Sequence, residues 1–249
     1  KTIRITVQDT IYKRSIKQLV IKMFRNHLYK KYFDKFWGVG SPQSRFARDI
    51  GFEQKNIREG FYVADKKFFD NSTIIDNNNK FLKILFIGRL VKEKNIQRLA
   101  ESIDEINNEF KSNHKLIVIG DGYLKEKIAK YKCVELNGII TQDKIIEVAK
   151  TCDVFCLPSV YEPWGVVTHE MCCLGLPILI SKKCGSSFDL VIENYNGFQF
   201  NPLSIKSIKK TILKFYALDR KAKQEFSQNS IDISDKINHH KWSNTLNSL

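Results

Sequence analysis

Four short apolar runs, "FLKILFIG" at 81–88, "HKLIVIGDG" at 114–122, "DVFCLPS" at 153–159 and "LPILIS" at 176–181, each lead into a turn and then a helix-like stretch. Runs without polar alternation read as strands buried on both faces, and strands alternating with helices read as a parallel sheet covered on both sides. Helices are expected from Asn95 to Phe110, from Tyr123 to Lys130, after Thr141 as cap, from Gly165 to Gly175 and from Ser204 to about Ser227, with "CVELNG" and "GFQFNP" as further strands and "SSFDLVIEN" as a helical turn. In such sheets ligands bind beyond the carboxyl ends of the strands, so function is sought in the loops that follow them.

Upstream of Asp65 the pattern is sparser. "KTIRITVQD" and Phe36–Val39 read as strands, and "NIREGFYVAD" as an extended segment. Between the last two lies a helix capped by Ser41, with Pro42 at its first position and Gly51 at its end. Residues 66–80, "KKFFDNSTIIDNNNK", read as a linker because they are polar and rich in Asn and Asp. The expected domains are therefore 1–65, 81–230 and a C-terminal helix, 231–249, that returns toward the first.

Charge narrows the partners. The formal net charge is +14, which favours anions: nucleic acid, a membrane surface or a phosphorylated small molecule. Eight basic residues from Lys13 to Lys35 face one acid, Asp34, and interleave with Ile16, Leu19, Val20, Met23, Phe24, Leu28 and Tyr32 at spacings of three and four. That is a basic amphipathic helix, either a membrane-surface element or the lysine-rich outer face of a packed domain. No apolar run reaches the length of a membrane span. The six cysteines, Cys133, Cys152, Cys156, Cys172, Cys173 and Cys184, form no C-x-x-C pair and read as buried thiols of a reduced cytosolic protein; all but Cys184 lie in or beside apolar stretches.

The loops after the strands carry the chemistry. In "FIGRLVKEKN", Gly88 ends a strand, and Arg89 and Lys94 precede a helix, so two cations and free helix N–H groups could meet a phosphate. In "VIGDGYL", Gly120 and Gly122 bracket Asp121; they permit close backbone approach of a ligand, or simply a tight turn. "VELNG" leads through Leu136 to Gly138, whose backbone could face a flat base. In "PSVYEPWGVVTHEMCCLGLPI" (158–178), Pro163 suits a helix start, Gly165 leaves N–H groups open, and Glu162 and Glu170 stand eight positions apart. On one continuous helix eight steps turn about 80°; a kink between them lets the two carboxylates reach different parts of one elongated ligand.

"EPWGVVTHE" with its Glu-x7-Glu spacing, "CLGLPI", "GRLVKEKN", "IGDG", "LNG" and "NGFQFNP" together resemble, in the same order, the donor half of glycosyltransferase family 4. These are retaining GT-B enzymes that take nucleotide sugars. The resemblance implies an α/β, Rossmann-like parallel sheet with helices on both faces, plus part of a second α/β domain. It implies that Arg89 and Lys94 bind the donor diphosphate and that Glu170 binds the ribose hydroxyls. Glu162 and the backbone of Trp164, Gly165, Val166 and Val167 would hold the transferred sugar. Gly88 and Gly120 would line the nucleotide cleft, with Leu136 and Gly138 at the base.

A UDP-, GDP- or ADP-sugar donor is implied, with no metal or other cofactor. The implied acceptor is a glycan or lipid-linked glycan; the expected setting is the cytoplasm, at the inner membrane face where the basic Lys13–Lys35 helix is a membrane-surface element and not the outer face of a packed domain. The residues before the linker match only the second half of the family's acceptor domain, and His27 is the one histidine among them. The expectation is a piece of a longer enzyme, or an enzyme with a reduced acceptor domain. His114, His169, His239 and His240 are expected to be structural or superficial, with His169 alone near the cleft.

Three rival readings bear on the same residues. A paired-carboxylate glycoside hydrolase would have no use for Arg89 and Lys94. A nucleic-acid-binding module would explain the charge, but not the glycine turns at successive strand ends. A sugar-nucleotide-binding fragment without catalysis is the alternative that the motifs do not separate from the enzyme.

Overall fold

The structure, a computed structural model, describes residues 2–9, 16, 20, 23–24, 31–77 and 79–248. The lysine-rich helix expected over Lys13–Lys35 therefore lies mostly outside the described residues, which include only Ile16, Val20, Met23, Phe24 and 31–35 of it. The chain forms two compact units: Lys1–Val63 with Lys236–Leu249, and Ala64–Asp235.

The smaller unit holds a parallel sheet in the order β1 (Ile5–Gln8), β2 (Lys35–Val39), β3 (Ile57–Gly60), with helix α1 (Ser41–Asp49) crossing from β2 to β3. Its core gathers Phe36, Phe46, Ala47, Ile50, Phe52 and Ile57. The α1 cap is Gly40, with φ 93°, and not Ser41; Ser41 and Pro42 form the first turn. A positive φ suits glycine and lets the chain turn abruptly out of β2.

The larger unit contains α2 (Lys66–Asp70), β4 (Lys83–Ile87), α3 (Ile96–Phe110), β5 (Lys115–Ile119), α4 (Lys125–Ile128), β6 (Val134–Leu136), α5 (Gln142–Lys150), β7 (Val154–Leu157), α6 (Val166–Cys173), β8 (Ile178–Ser181), β9 (Gly197–Phe200), α7 (Ile205–Tyr216) and α8 (Arg220–Ser234); α9 (His239–Asn247) follows in the smaller unit. The six strands pair in parallel in the order β6-β5-β4-β7-β8-β9. Every residue of β7 and β8 is buried, which is why those strands are apolar without alternation. The chain starts at β4, winds outward to β6, returns to β7 and winds the other way. The crevice at that reversal is where α/β sheets take ligands.

Several elements differ from expectation. Residues 66–80 are no linker: Phe68 is buried in α2, and the polar residues stitch the segment to the larger unit. Asp76 pairs with Arg220 at 2.6 Å, Asn77 Nδ2 donates to Cys152 O at 2.9 Å, and Asn79 Nδ2 donates to the Asp153 carboxylate at 3.1 Å. The helix expected from Ser204 to Ser227 is two, because the Asp219 carboxylate accepts the Ala222 N–H at 2.8 Å and caps α8. The helix expected over Tyr123–Lys130 shrinks to α4. The turn in "SSFDLVIEN" is a 3-10 helix, Gly185–Ser187. All six cysteines are buried and unpaired, Cys184 included. Burial pushes the Cys133, Cys152 and Cys173 thiols up to about 12, so they stay protonated.

Candidate functional site

At the carboxyl ends of β4, β5 and β6 three glycine turns are laced by backbone bonds. Gly88 N–H donates to Ile119 O at 3.0 Å, Leu90 N–H to Asp121 O at 2.8 Å and Gly120 N–H to Gly138 O at 2.7 Å. Gly120, with φ 139°, passes so close to the first turn that a Cβ there would lie 2.0 Å from Gly88 O. The nearest neighbour of its missing side chain is thus another loop of the protein. Beyond Gly138, Ile139 stands 81% exposed, an apolar surface that the sequence reading left aside.

The loop after β4 continues through Arg89 to a 3-10 helix, Lys92–Lys94, and to Asn95. Arg89 is exposed and makes no ion pair among the described residues. Lys94 pairs with Glu162 of the loop after β7, and both side chains are largely buried. The loops meet along their backbones too: Val160 N–H donates to Glu93 O at 2.9 Å.

Asn95 fixes this junction. Its backbone is left-handed, φ 56° and ψ 24°, a conformation asparagine tolerates better than most residues. Nδ2 donates to Pro158 O at 3.1 Å and Pro202 O at 2.8 Å, while Oδ1 accepts from Arg98 Nη1 at 2.9 Å. The sequence reading assigned Asn95 no role beyond opening a helix. Its one local signal was an asparagine where a helix begins, and it makes no capping bond.

The loop bearing Glu162 is backed by the turn after β8. Gly185 N–H donates to Glu162 O at 2.9 Å and Ser186 N–H to Trp164 O at 3.0 Å. The Trp164 ring is buried, so only its backbone can meet a ligand. Gly165, φ 88°, caps α6, which starts at Val166 and not near Pro163. The N–H groups of Val166 and Val167 make no backbone hydrogen bond among the described residues, as befits a first helical turn. They form an anion-seeking end beside the Glu162 loop.

Glu170 projects from the second turn of α6. Burial, then the Asp65 carboxylate, raises its carboxyl to about 7. Among the described residues no hydrogen bond or ion pair joins Glu170 or Arg89 to the Lys94–Glu162 pair. His169, expected near the cleft, is a fully buried structural residue. Its Nδ1 accepts the Ala64 N–H at 3.0 Å, leaving Nε2 to donate to Ser234 O at 3.2 Å.

A model of the family described as glycosyl transferases group 1 matches residues 67–232. The uncharacterized glycosyltransferase MJ1607 of Methanocaldococcus jannaschii is 30% identical over 152 residues, 58% of this chain and 37% of that protein. The N,N'-diacetylbacillosaminyl-diphospho-undecaprenol alpha-1,3-N-acetylgalactosaminyltransferase of Campylobacter jejuni is 21% identical over 216 residues, 80% of this chain and 56% of that protein. The chain thus spans well under two thirds of the length of these relatives. Among solved structures, Anabaena Alr3699/HepE in complex with UDP and glucose aligns with TM-score 0.76 at 17% identity, over 98% of this chain and 71% of that one. The likeness is one of fold, and the fold is of the GT-B type expected from the sequence.

Proposed function

The chain belongs to the glycosyl transferases group 1 family, and on that premise we propose that its larger unit binds a nucleoside-diphosphate sugar. The acceptor is a glycan or lipid-linked glycan, and the sugar is transferred with retention of configuration. The observation that carries this reading is the Lys94–Glu162 pair, drawn from the two loops that flank the sheet's reversal, next to the open N–H groups of α6.

When the bond from the anomeric carbon to the diphosphate breaks, negative charge gathers on the leaving group and positive charge on the sugar ring. Fixed positive groups stabilise that leaving group because they need no reorganisation as charge develops. In this reading Arg89, Lys94 and the N–H groups of Val166 and Val167 supply those positive groups. As a phosphate takes up Lys94, the Glu162 carboxylate becomes available to a sugar hydroxyl and to the positive ring. Glu170 holds the ribose hydroxyls, and the backbone of Leu136 and Gly138 meets the base. Retention without a covalent nucleophile calls for departure and attack on one face of the sugar. HepE was crystallised with UDP, which makes UDP the first nucleotide to test.

A lysine-rich Lys13–Lys35 segment would hold the chain at an anionic membrane where lipid-linked acceptors lie. Thermal unfolding with UDP, GDP and ADP tests the donor site. Ligand at a hundredfold its Kd contributes about 2.7 kcal/mol, or roughly 5–10 °C for a domain of this size. No shift with any of the three at millimolar concentration sinks the proposal.

A further inference from the structure

We propose that the larger unit carries a second anion site, for a small phosphomonoester, in the groove on the outer side of the loop bearing Lys94. This groove, about 420 Å³, is lined by Lys92, Arg98 and Lys127 against a single acid, Glu101. Lys92, Arg98, Lys127 and Glu101 form no ion pair among the described residues, so three cations converge on one concavity with no carboxylate paired to any of them. Such an arrangement raises the local concentration of anions and is relieved by binding one.

The hydrogen-bonding groups match a phosphate. Arg98 spends Nη1 on Asn95 Oδ1 and Pro202 O, and among the described residues its Nε and Nη2 donors remain open. Guanidinium donors suit the paired oxygens of a phosphate. The Tyr123 hydroxyl oxygen accepts the Lys92 backbone N–H at 2.9 Å, so its own proton is free to donate into the groove. Tyr123 and Leu203, 70% and 64% exposed, form an apolar rim for the organic part of a monoester.

The groove is separate from the proposed donor site: neither Arg89, Lys94, Glu162 nor Glu170 lines it. The two share walls, since Asn95 and Val160 of the groove belong to the loops that carry Lys94 and Glu162.

The test titrates glucose 1-phosphate and inorganic phosphate, by calorimetry, into the full chain with and without saturating UDP. Both probes are expected to bind in the presence of UDP, and Lys92→Gln/Lys127→Gln is expected to weaken them at least fivefold while leaving UDP affinity unchanged. A second variant, Arg98→Lys, keeps charge but removes the fork and is expected to weaken glucose 1-phosphate by a similar factor. Competition of both probes with UDP would overturn the proposal, as would unchanged binding in the double variant. So would binding only to vesicles containing phosphatidic acid, with no affinity for the soluble monoester. If UDP itself fails to bind, the titrations without UDP still decide the groove, so the two readings fall separately.

Discussion

Lys94 and Glu162, 68 positions apart in sequence, close an ion pair whose side chains are only 17% and 12% exposed. A pair so shielded is sensitive to the loss of one member, because the survivor is left charged and poorly hydrated. In the proposed donor site Lys94 is also the cation a diphosphate needs, so ligand and Glu162 compete for it. Glu162→Gln should therefore tighten UDP binding, by about 3- to 10-fold on the scale of one charge-assisted contact. Lys94→Met should weaken it by about tenfold or more, and should cost about 2–3 kcal/mol of stability, less than a fully buried pair because some solvent reaches it. Calorimetric titration with UDP decides: equal losses in both variants would contradict competition.

Glu170 links the site to pH. Its carboxyl sits at about 7, against the 4.5 of an ordinary glutamate. Between those values the unfolded chain has released a proton that the folded chain keeps, so stability falls as pH rises from about 4.5 to 7 and then levels off. The span corresponds to at most about 3–4 kcal/mol. Glu170→Gln should remove this slope, giving a protein more stable than the parent at pH 8 and little different at pH 4.5. Urea unfolding at the two pH values measures it, and a parallel pH dependence in both proteins would remove Glu170 as the source.

Lys94 and Glu162 also mark where sequence reading stops. The buried strands were legible because a parallel strand covered on both faces must be apolar through its buried length, as Val154–Leu157 is and as Ile178–Ser181 is up to its last residue, Ser181. The glycine turns were legible as well, since few residues but glycine suit backbone geometries such as those at Gly120 and Gly165. Pairing was not: nothing local to Lys94 announces Glu162. Polarity misled at 66–80, where Asp76, Asn77 and Asn79 bond to other parts of the unit instead of to water. Polarity also hid Asp219, which divides α7 from α8 although the flanking pattern is continuously helical. At His169, adjacency to Glu170 suggested a place in the cleft. On a helix neighbouring residues point about 100° apart, and His169 faces the interior.

Two of the glycines should respond very differently to an added methyl. At Gly120 a Cβ would collide with Gly88 O, whereas at Gly138, φ 66°, nothing lies within 4 Å. Gly138→Ala should cost only the left-handed backbone penalty, about 1–2 kcal/mol. Gly120→Ala adds displacement of the neighbouring turn and should cost about 3 kcal/mol or more. Chemical denaturation of the two variants gives the comparison. Equal losses would mean that the turn after β4 can move aside without strain.

Asn95 offers the sharpest separation of architecture from chemistry, since it contacts both Pro158 O and Pro202 O but lies outside the residues assigned to the donor. Asn95→Ala removes the donor to both carbonyls and should cost about 2–3 kcal/mol. It should also weaken UDP binding severalfold, because Lys94 precedes it directly in the loop. Asn95→Asp is the stricter case. The carboxylate fits the same space, and when ionised it presents oxygens to two carbonyl oxygens. Burial and the two facing carbonyl oxygens oppose ionisation, and against them stands only the Arg98 guanidinium at Oδ1. With the two carbonyls and burial dominant, the introduced carboxyl should hold its proton to higher pH in the folded variant than in the unfolded chain. The variant's stability should then fall as pH rises above about 4, the unfolded value for aspartate. Below that pH one protonated oxygen can still donate to one carbonyl, and the loss should approach that of a single hydrogen bond, about 1 kcal/mol. A flat pH profile for Asn95→Asp relative to Asn95→Ala would show that the Arg98 guanidinium, or water admitted to the disturbed junction, offsets the two carbonyls.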